Sequence, residues 1–264
     1  MKNFLVLKHY TITDKFFCFN EKDMSIVAKH YSKARDIVVE SAKKYLHDID
    51  EIIIHSSTVK NDQEMFKDHA ELIKELYHSE DCNIVYCDLD VVFIKPTRIF
   101  GEYEDFSMES QNCGVRYYPA GGMTDAQWKI QEDYVSTWRT QFDEEEHPMD
   151  RVHLWQYEQN MFIEMHKNVL EKHNMVTPFE GVVHQVYNIP NGRPHMIADD
   201  KYTMVHCCGT SQQFNGVDLM SQLYHLSLEN KYEEIHQVLS DPNYVSRQSV
   251  WKRPAPWLVN PNPD

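Results

Sequence analysis

The chain has 264 residues, 26 Lys and Arg against 41 Asp and Glu, and a formal net charge of −15. A composition of 42% hydrophobic and 25% charged residues excludes wholesale disorder, and this length can bury a substantial core. No apolar run approaches the roughly 18 residues that cross a bilayer, residues 1–20 carry no signal-peptide pattern, and the acidity argues against polyanionic partners.

In chain order, Asn3 to Lys8 (NFLVLK) reads as a short buried strand ended by polar His9, Tyr10 and Thr11. Apolar residues then recur every three or four positions over 22–47, which predicts a helix. Glu51 to His55 (EIIIH) is a second strand. A helix over about 61–78 follows, with Asn61 or Asp62 as N-cap. Asn83 to Ile94 (NIVYCDLDVVFI) reads as a third strand with an acidic interruption. Strand, helix, strand, helix, strand is the pattern of a parallel sheet covered by helices.

Beyond Pro96, residues 103–118 read as mixed short strands and 118–122 (YPAGG) as a turn. A helix over 124–142 opens at Thr124 or Asp125. The acidic run 143–146 is a solvated loop, and 153–173 form another helix. Short strands fill 179–206, with an Asn-Gly turn at 191–192 and a last strand from Tyr202 to His206. A helix at about 217–239 precedes a tail, 251–264, rich in Pro and Trp. No repeat and no long linker divides the chain, so one domain over 1–246 and a tail over 247–264 are expected. Cys18, Cys82, Cys87, Cys113, Cys207 and Cys208 contain no CxxC pair, which argues against a zinc ribbon, a thioredoxin-like motif or a disulfide framework and points to reduced thiols in a cytoplasm. With eight glycines and neither GxGxxG nor GxxxxGK[ST], the usual dinucleotide and P-loop signals are absent.

The most informative segment is Ile84-Val-Tyr-Cys-Asp88-Leu-Asp90-Val-Val-Phe-Ile. A central strand of a parallel sheet is nearly all apolar, and a buried unpaired carboxylate costs several kcal/mol or titrates away. On an extended strand, Asp88 and Asp90 project to the same side. A divalent cation, Mg²⁺ or Mn²⁺, shared with phosphate oxygens accounts for both acids. The alternative is a strand that ends at Asp88, with both acids in a turn. The apolar flanks on both sides weigh against it.

The run IVYCDLDVVFIKP, residues 84–96, resembles the Asp-x-Asp segment of metal-dependent nucleotide-sugar glycosyltransferases of the GT-A fold. Tyr202-Thr-Met-Val-His206-Cys-Cys-Gly209-Thr is similar to the His-x-x-Gly element of the glycogenin-like retaining families. Glu158-Gln159-Asn160 is similar to their acid or amide that faces the donor sugar. The resemblance implies a single GT-A-like, Rossmann-like α/β domain with a mostly parallel central sheet flanked by helices. It implies transfer of a sugar from a nucleotide-diphosphate donor to an acceptor hydroxyl, with retention. Asp88, Asp90 and His206 would hold the metal, and the imidazole tilts the choice toward Mn²⁺. Glu158 and Gln159 would face the sugar.

His9, Tyr10 and Thr11 would meet the nucleotide, because ligands bind beyond the carboxyl ends of parallel strands. Gly209, Thr210 and Ser211 would approach the diphosphate, with neutral donors from Thr210, Ser211 or Gln212 standing where the family places a Lys. Tyr117, Tyr118, Gly121 and Gly122 lie where related folds put an acceptor-side loop, and a structural turn explains them equally well. The acceptor would be a glycan, small molecule or protein hydroxyl. Alternatively it would be a hydroxymethylated base in DNA, as bacteriophage enzymes modify in the host cytoplasm. The basic-aromatic tail (Arg247, Trp251, Lys252, Arg253, Trp257) would then contact nucleic acid, or else serve as a lid or a packing arm. Rivals are a non-catalytic metal and nucleotide-sugar binding module, and a phosphohydrolase using Asp88 as nucleophile.

Overall fold

A computed structural model describes residues 1–12, 21–59, 62–109, 113–141, 151–173, 182–185, 202–207 and 216–240. Two compact units interleave along the chain. The first comprises 1–24, 46–88 and 97–180, and the second 25–45, 89–96 and 181–264. The expected boundary at 246/247 and the tail 247–264 lie outside the described residues, as do the Asn-Gly turn and the acidic run. Among the described residues no helix is long and apolar enough to cross a membrane.

The first unit is built on a five-stranded sheet of order β2-β1-β3-β6-β5. Its strands are β1 (Lys2–Ile12), β2 (Glu51–Val59), β3 (Cys82–Cys87), β5 (Ser107–Met108) and β6 (Val115–Tyr118). β1 pairs in parallel with β2 and β3, while β6 runs antiparallel to both β3 and β5. Four of the five strands therefore point the same way, which is the mostly parallel sheet expected. β1 outruns the expected end at Lys8, because His9, Tyr10 and Thr11 find main-chain partners in Ser56, Ser57 and Thr58 of an equally extended β2. Polar side chains do not stop a strand whose ladder is satisfied on one side.

One face of this sheet packs Phe4, Val6, Ile84, Tyr86, Met108 and Tyr118 against three helices: α2 (Asp62–Ser79), α3 (Asp125–Gln141) and α4 (Arg151–Lys172). α2 contributes Phe66 and Ile73, α3 Trp128, and α4 Met161, Phe162 and Met165, at the helical spacing read from the sequence. α3 opens with a capping box. The Gln127 amide donates to Thr124 Oγ1 (3.3 Å), and the Thr124 amide donates back to Gln127 Oε1 (2.9 Å). Gln127 and Gln131 then donate to the carbonyls of Met165 and Ala70, tying α3 to α4 and α2.

Tyr117 and Tyr118 are fully buried, so they are core rather than acceptor loop. Tyr118 stacks on Trp128, and the Tyr117 hydroxyl donates to Asn83 Oδ1 (3.2 Å). The turn after them needs its glycines. Gly121 has φ +71°, and a Cβ on Gly122 would meet Glu104 O at 2.3 Å.

The second unit carries a three-stranded sheet, β4-β8-β7, from β4 (Val91–Phe93), β7 (Val183–Gln185) and β8 (Met204–His206). α1 (Glu21–Tyr45), α5 (Gly216–Leu228) and α6 (Tyr232–Ser240) supply its helices, with residues 21–24 of α1 assigned to the first unit. The Ser41 hydroxyl of α1 accepts from the Phe93 amide of β4 (3.2 Å), and Tyr45 donates to the Ser227 carbonyl of α5 (2.8 Å). Two expectations are corrected. The helix expected at 217–239 breaks at Asn230, whose φ of +56° is tolerated by Asn and ends α5. The strand expected at 83–94 is two strands, β3 and β4, which belong to different sheets; residues 88–90 turn between them. The acids are therefore not an interruption in one strand. They are its end, and both flanks are apolar because each is the buried strand of its own sheet.

Candidate functional site

Asp90 opens the second-unit strand β4, whose Val91 pairs with His206 at the end of β8. This register sets the two side chains together. His206 Nε2 lies 3.2 Å from Asp90 Oδ1, and both residues are buried. The turn is fixed from the other side as well, since the Cys207 amide donates to the Asp90 carbonyl (2.8 Å). Asp88, two residues earlier, leaves β3 with its amide donating to the Gly114 carbonyl (2.7 Å). One ligand atom from each of Asp88, Asp90 and His206 lies within 4.8 Å of the other two.

Two carboxylate oxygens and one imidazole nitrogen form a small, oxygen-rich donor set that could hold a divalent cation. The clustering arises from a turn between two strands rather than from the i, i+2 alternation of one strand.

Within the first unit, register builds a second group of charges. Leu7 of β1 pairs with Cys87, so the next residue on each strand, Lys8 and Asp88, are neighbours; Lys8 Nζ is 3.7 Å from Asp88 Oδ1. Tyr86 shares a sheet face with Asp88 and donates its hydroxyl to Asp88 Oδ1. Arg116 of β6 pairs with Tyr86, and its guanidinium carbon lies 3.9 Å from both the Tyr86 and the Phe162 ring centroids. Arg116 has no exposed surface at all. Its Nη2 donates to His69 Nε2 of α2 (2.6 Å), which places the imidazole hydrogen on Nδ1 because a guanidinium only donates. Glu158 of α4 completes the group, its Oε1 3.7 Å from Arg116 Nη1 and 3.9 Å from Lys8 Nζ.

These placements shift the titrating groups in a consistent way. Burial, then the Arg116 and Lys8 charges, holds His69 well below its usual range, so it is a neutral acceptor. Burial alone would lower Lys8, but Glu158 and Asp88 outweigh it and hold the ammonium above its ordinary value. Burial and then the Asp88 charge push the Tyr86 phenol well above its own.

Of the site residues read from the sequence, Asp88, Asp90 and His206 come together, and Glu158 joins Lys8 and Arg116. Gln159 follows Glu158 on α4 and is half-buried. His9, Tyr10 and Thr11 lie within β1, where Tyr10 packs edge-on against His55, itself 2.6 Å from Asp68. Gly209, Thr210 and Ser211 lie outside the described residues, and so does Gln212. Lys8, Arg116 and His69 were missed. The signal for the first two was available: a lone cation in each of two strands otherwise expected to be buried, NFLVLK and VRYY, poses the same question as the two aspartates. The described cysteines, 82, 87, 113 and 207, are buried thiols.

A scan against protein-family models finds no match, and a search of curated proteins finds none either. Among solved structures, the chain is similar to a crystal structure of a glycosyltransferase involved in the glycosylation of the major capsid of PBCV-1. The two are 13% identical with a TM-score of 0.46, over 84% of this chain and 100% of that one.

Proposed function

We propose that this chain is a metal-dependent glycosyltransferase of the GT-A type, moving a sugar from a nucleotide-diphosphate donor to an acceptor hydroxyl. The observation that carries the reading is the convergence of Asp88, Asp90 and His206 where the parallel strand β3 ends. Ligands of α/β sheets bind beyond the carboxyl ends of the strands, and Asp88 is the first residue beyond this one. Asp88, Asp90 and His206 would hold the ion, with Mn²⁺ favoured over Mg²⁺ because one ligand is an imidazole. Bound there, the ion supplies Lewis-acid neutralisation of the charge on a departing diphosphate.

The chain's own residues do the rest. Lys8 and Tyr86 orient Asp88, and Asp90 is oriented by its main-chain bond to Cys207. Glu158 and Gln159 face the donor sugar, His9 to Thr11 meet the nucleotide, and Gly209 to Ser211 approach the diphosphate. Retention of configuration goes with the glycogenin-like pattern. The acceptor is a glycan, small-molecule or protein hydroxyl; a net charge of −15 disfavours a modified base in DNA.

The test is a screen of nucleotide-diphosphate sugars with Mn²⁺, reading thermal stabilisation and slow donor hydrolysis. A glycosyltransferase should hydrolyse its donor slowly without acceptor and stop when EDTA is added. Binding with no hydrolysis would instead identify a non-catalytic module, and full turnover in EDTA would overturn the metal assignment.

A further inference from the structure

The first-unit charge group contains polar atoms that nothing in the described chain satisfies. Arg116 Nε, Arg116 Nη1 and Glu158 Oε1 are all buried and lack a hydrogen-bond partner. The ion-pair distances of 3.7 and 3.9 Å from Glu158 to Arg116 and Lys8 are too long for hydrogen bonds. A fully buried guanidinium near two ring faces, with two of its nitrogens unpartnered, is costly unless something completes it. Two atoms 3.7 Å apart can both reach a third atom set about 2.8–2.9 Å from each, so one oxygen can bridge Glu158 and Arg116.

The chemistry of that oxygen follows from its neighbours. Glu158 only accepts, while Arg116 and Lys8 only donate. A phosphate or carboxylate oxygen satisfies the cations but is repelled by Glu158. An ammonium satisfies Glu158 but is repelled by the two cations. A hydroxyl does both, donating to the carboxylate and accepting from the cations.

We propose that Lys8, Arg116 and Glu158 form a seat for one sugar hydroxyl, and that this seat selects which sugar is used. The proposal rests on the glycosyltransferase reading above and adds its specificity-determining residues. Lys8 and Glu158 keep some exposure, at 17% and 13% of their side chains, so the hydroxyl enters past these two flexible chains onto the buried Arg116. Arg116 is in turn aimed by His69, a positioning residue that accepts from the far side of the fork.

The test measures binding by thermal shift and calorimetry with Mn²⁺. UDP-glucose, UDP-galactose and GDP-mannose are each compared with the bare nucleoside diphosphate. The best sugar is then tried as deoxy versions lacking one hydroxyl at a time, and as methyl glycosides added to the diphosphate complex. Removing one particular hydroxyl should weaken binding roughly tenfold to a hundredfold, the loss of hydrogen bonds to charged groups, and removing the others should matter far less. A donor effect without acceptor assigns the hydroxyl to the donor sugar, and an effect seen only with glycosides assigns it to the acceptor. Glu158→Gln and Arg116→Lys should erase the preference at that one position, so that the deoxy sugar and its parent bind alike in these variants. The deoxy series on the unaltered protein needs no variant to fold. Equal binding of every deoxy sugar, or an ordered water alone at the seat in a donor-bound crystal structure, would overturn the seat while leaving the glycosyltransferase reading intact. No binding of any nucleoside diphosphate would overturn both.

Discussion

Asp88 and Asp90 are separated by one leucine and live in different surroundings. Asp88 ends a strand of the five-stranded sheet, is 29% exposed, and is engaged by the Lys8 ammonium and the Tyr86 hydroxyl. Asp90 begins a strand of the three-stranded sheet, is buried, and meets the imidazole of His206. The first unit is crowded with compensating charges around its acid, whereas in the second the acid meets the His206 imidazole. Two identical side chains in one short motif therefore have different work to do. On the proposed reading, Asp88 would be shared between a protein cation and a bound ion, and Asp90 would serve the ion with His206.

The sharpest way to break this comparison is mutation of the two acids. Either Asp88→Ala or Asp90→Ala should cut transfer at least about a hundredfold, the scale of removing one preorganised electrostatic stabiliser. The asparagine variants should separate the pair. Asp90→Asn should weaken Mn²⁺ binding, followed by calorimetry, more than Asp88→Asn does, because Lys8 already competes for Asp88. Equal losses would mean that the two surroundings are not functionally distinct.

Acid should expose the next contrast. His166 of α4 is buried against Phe106 with its Nε2 unpartnered, and burial lowers it from 6.5 to about 4. In the pH interval between those values the unfolded chain holds a proton that the folded chain lacks. Stability should therefore fall as pH drops from about 6.5 to about 4 and level off below, by about 3 kcal/mol at most from this group. His69 is lowered in the same sense. Both lie in the first unit, so hydrogen exchange at pH 5 should rise there first, and His166→Gln should flatten the dependence of Tm on pH. Uniform acid labilisation of both units would contradict this.

The smallest effect serves as a control. Thr124→Ala removes the hydroxyl that caps α3 and should cost about 1 kcal/mol in denaturant unfolding. Mn²⁺ binding should be unchanged, since the cap belongs to the first unit and has no contact with Asp88, Asp90 or His206 in its capping bonds. A loss of metal affinity in that variant would show that the site depends on the packing of α3.

Periodicity alone was enough for α2 and α4. Phe66, Ala70 and Ile73 on α2, and Met161, Phe162 and Met165 on α4, are the buried residues their spacing predicts, because a 3.6-residue repeat is a local property. Thr124 or Asp125 marked the start of α3 for the same reason, and the structure adds Gln127 as its reciprocal partner. The types and spacing of Asp88 and Asp90 suggested a cation, and the family resemblance at His206 implied a third ligand. What the sequence could not settle was which strand belongs to which sheet. An apolar run reads alike whether it is one strand or two, so NIVYCDLDVVFI concealed the passage from β3 to β4. Strand ends depend on a partner's length, which is why β1 continues to Ile12.

The charge group of Lys8, Arg116, Glu158 and His69 was decided by tertiary structure alone. Its members come from β1, β6, α4 and α2 and meet only through cross-strand register and helix packing. Sequence determined which residues must be buried and which types can bind an ion, because burial and ligand chemistry are properties of single side chains. Structure decided which of them meet, because a contact between distant residues is a property of the whole fold.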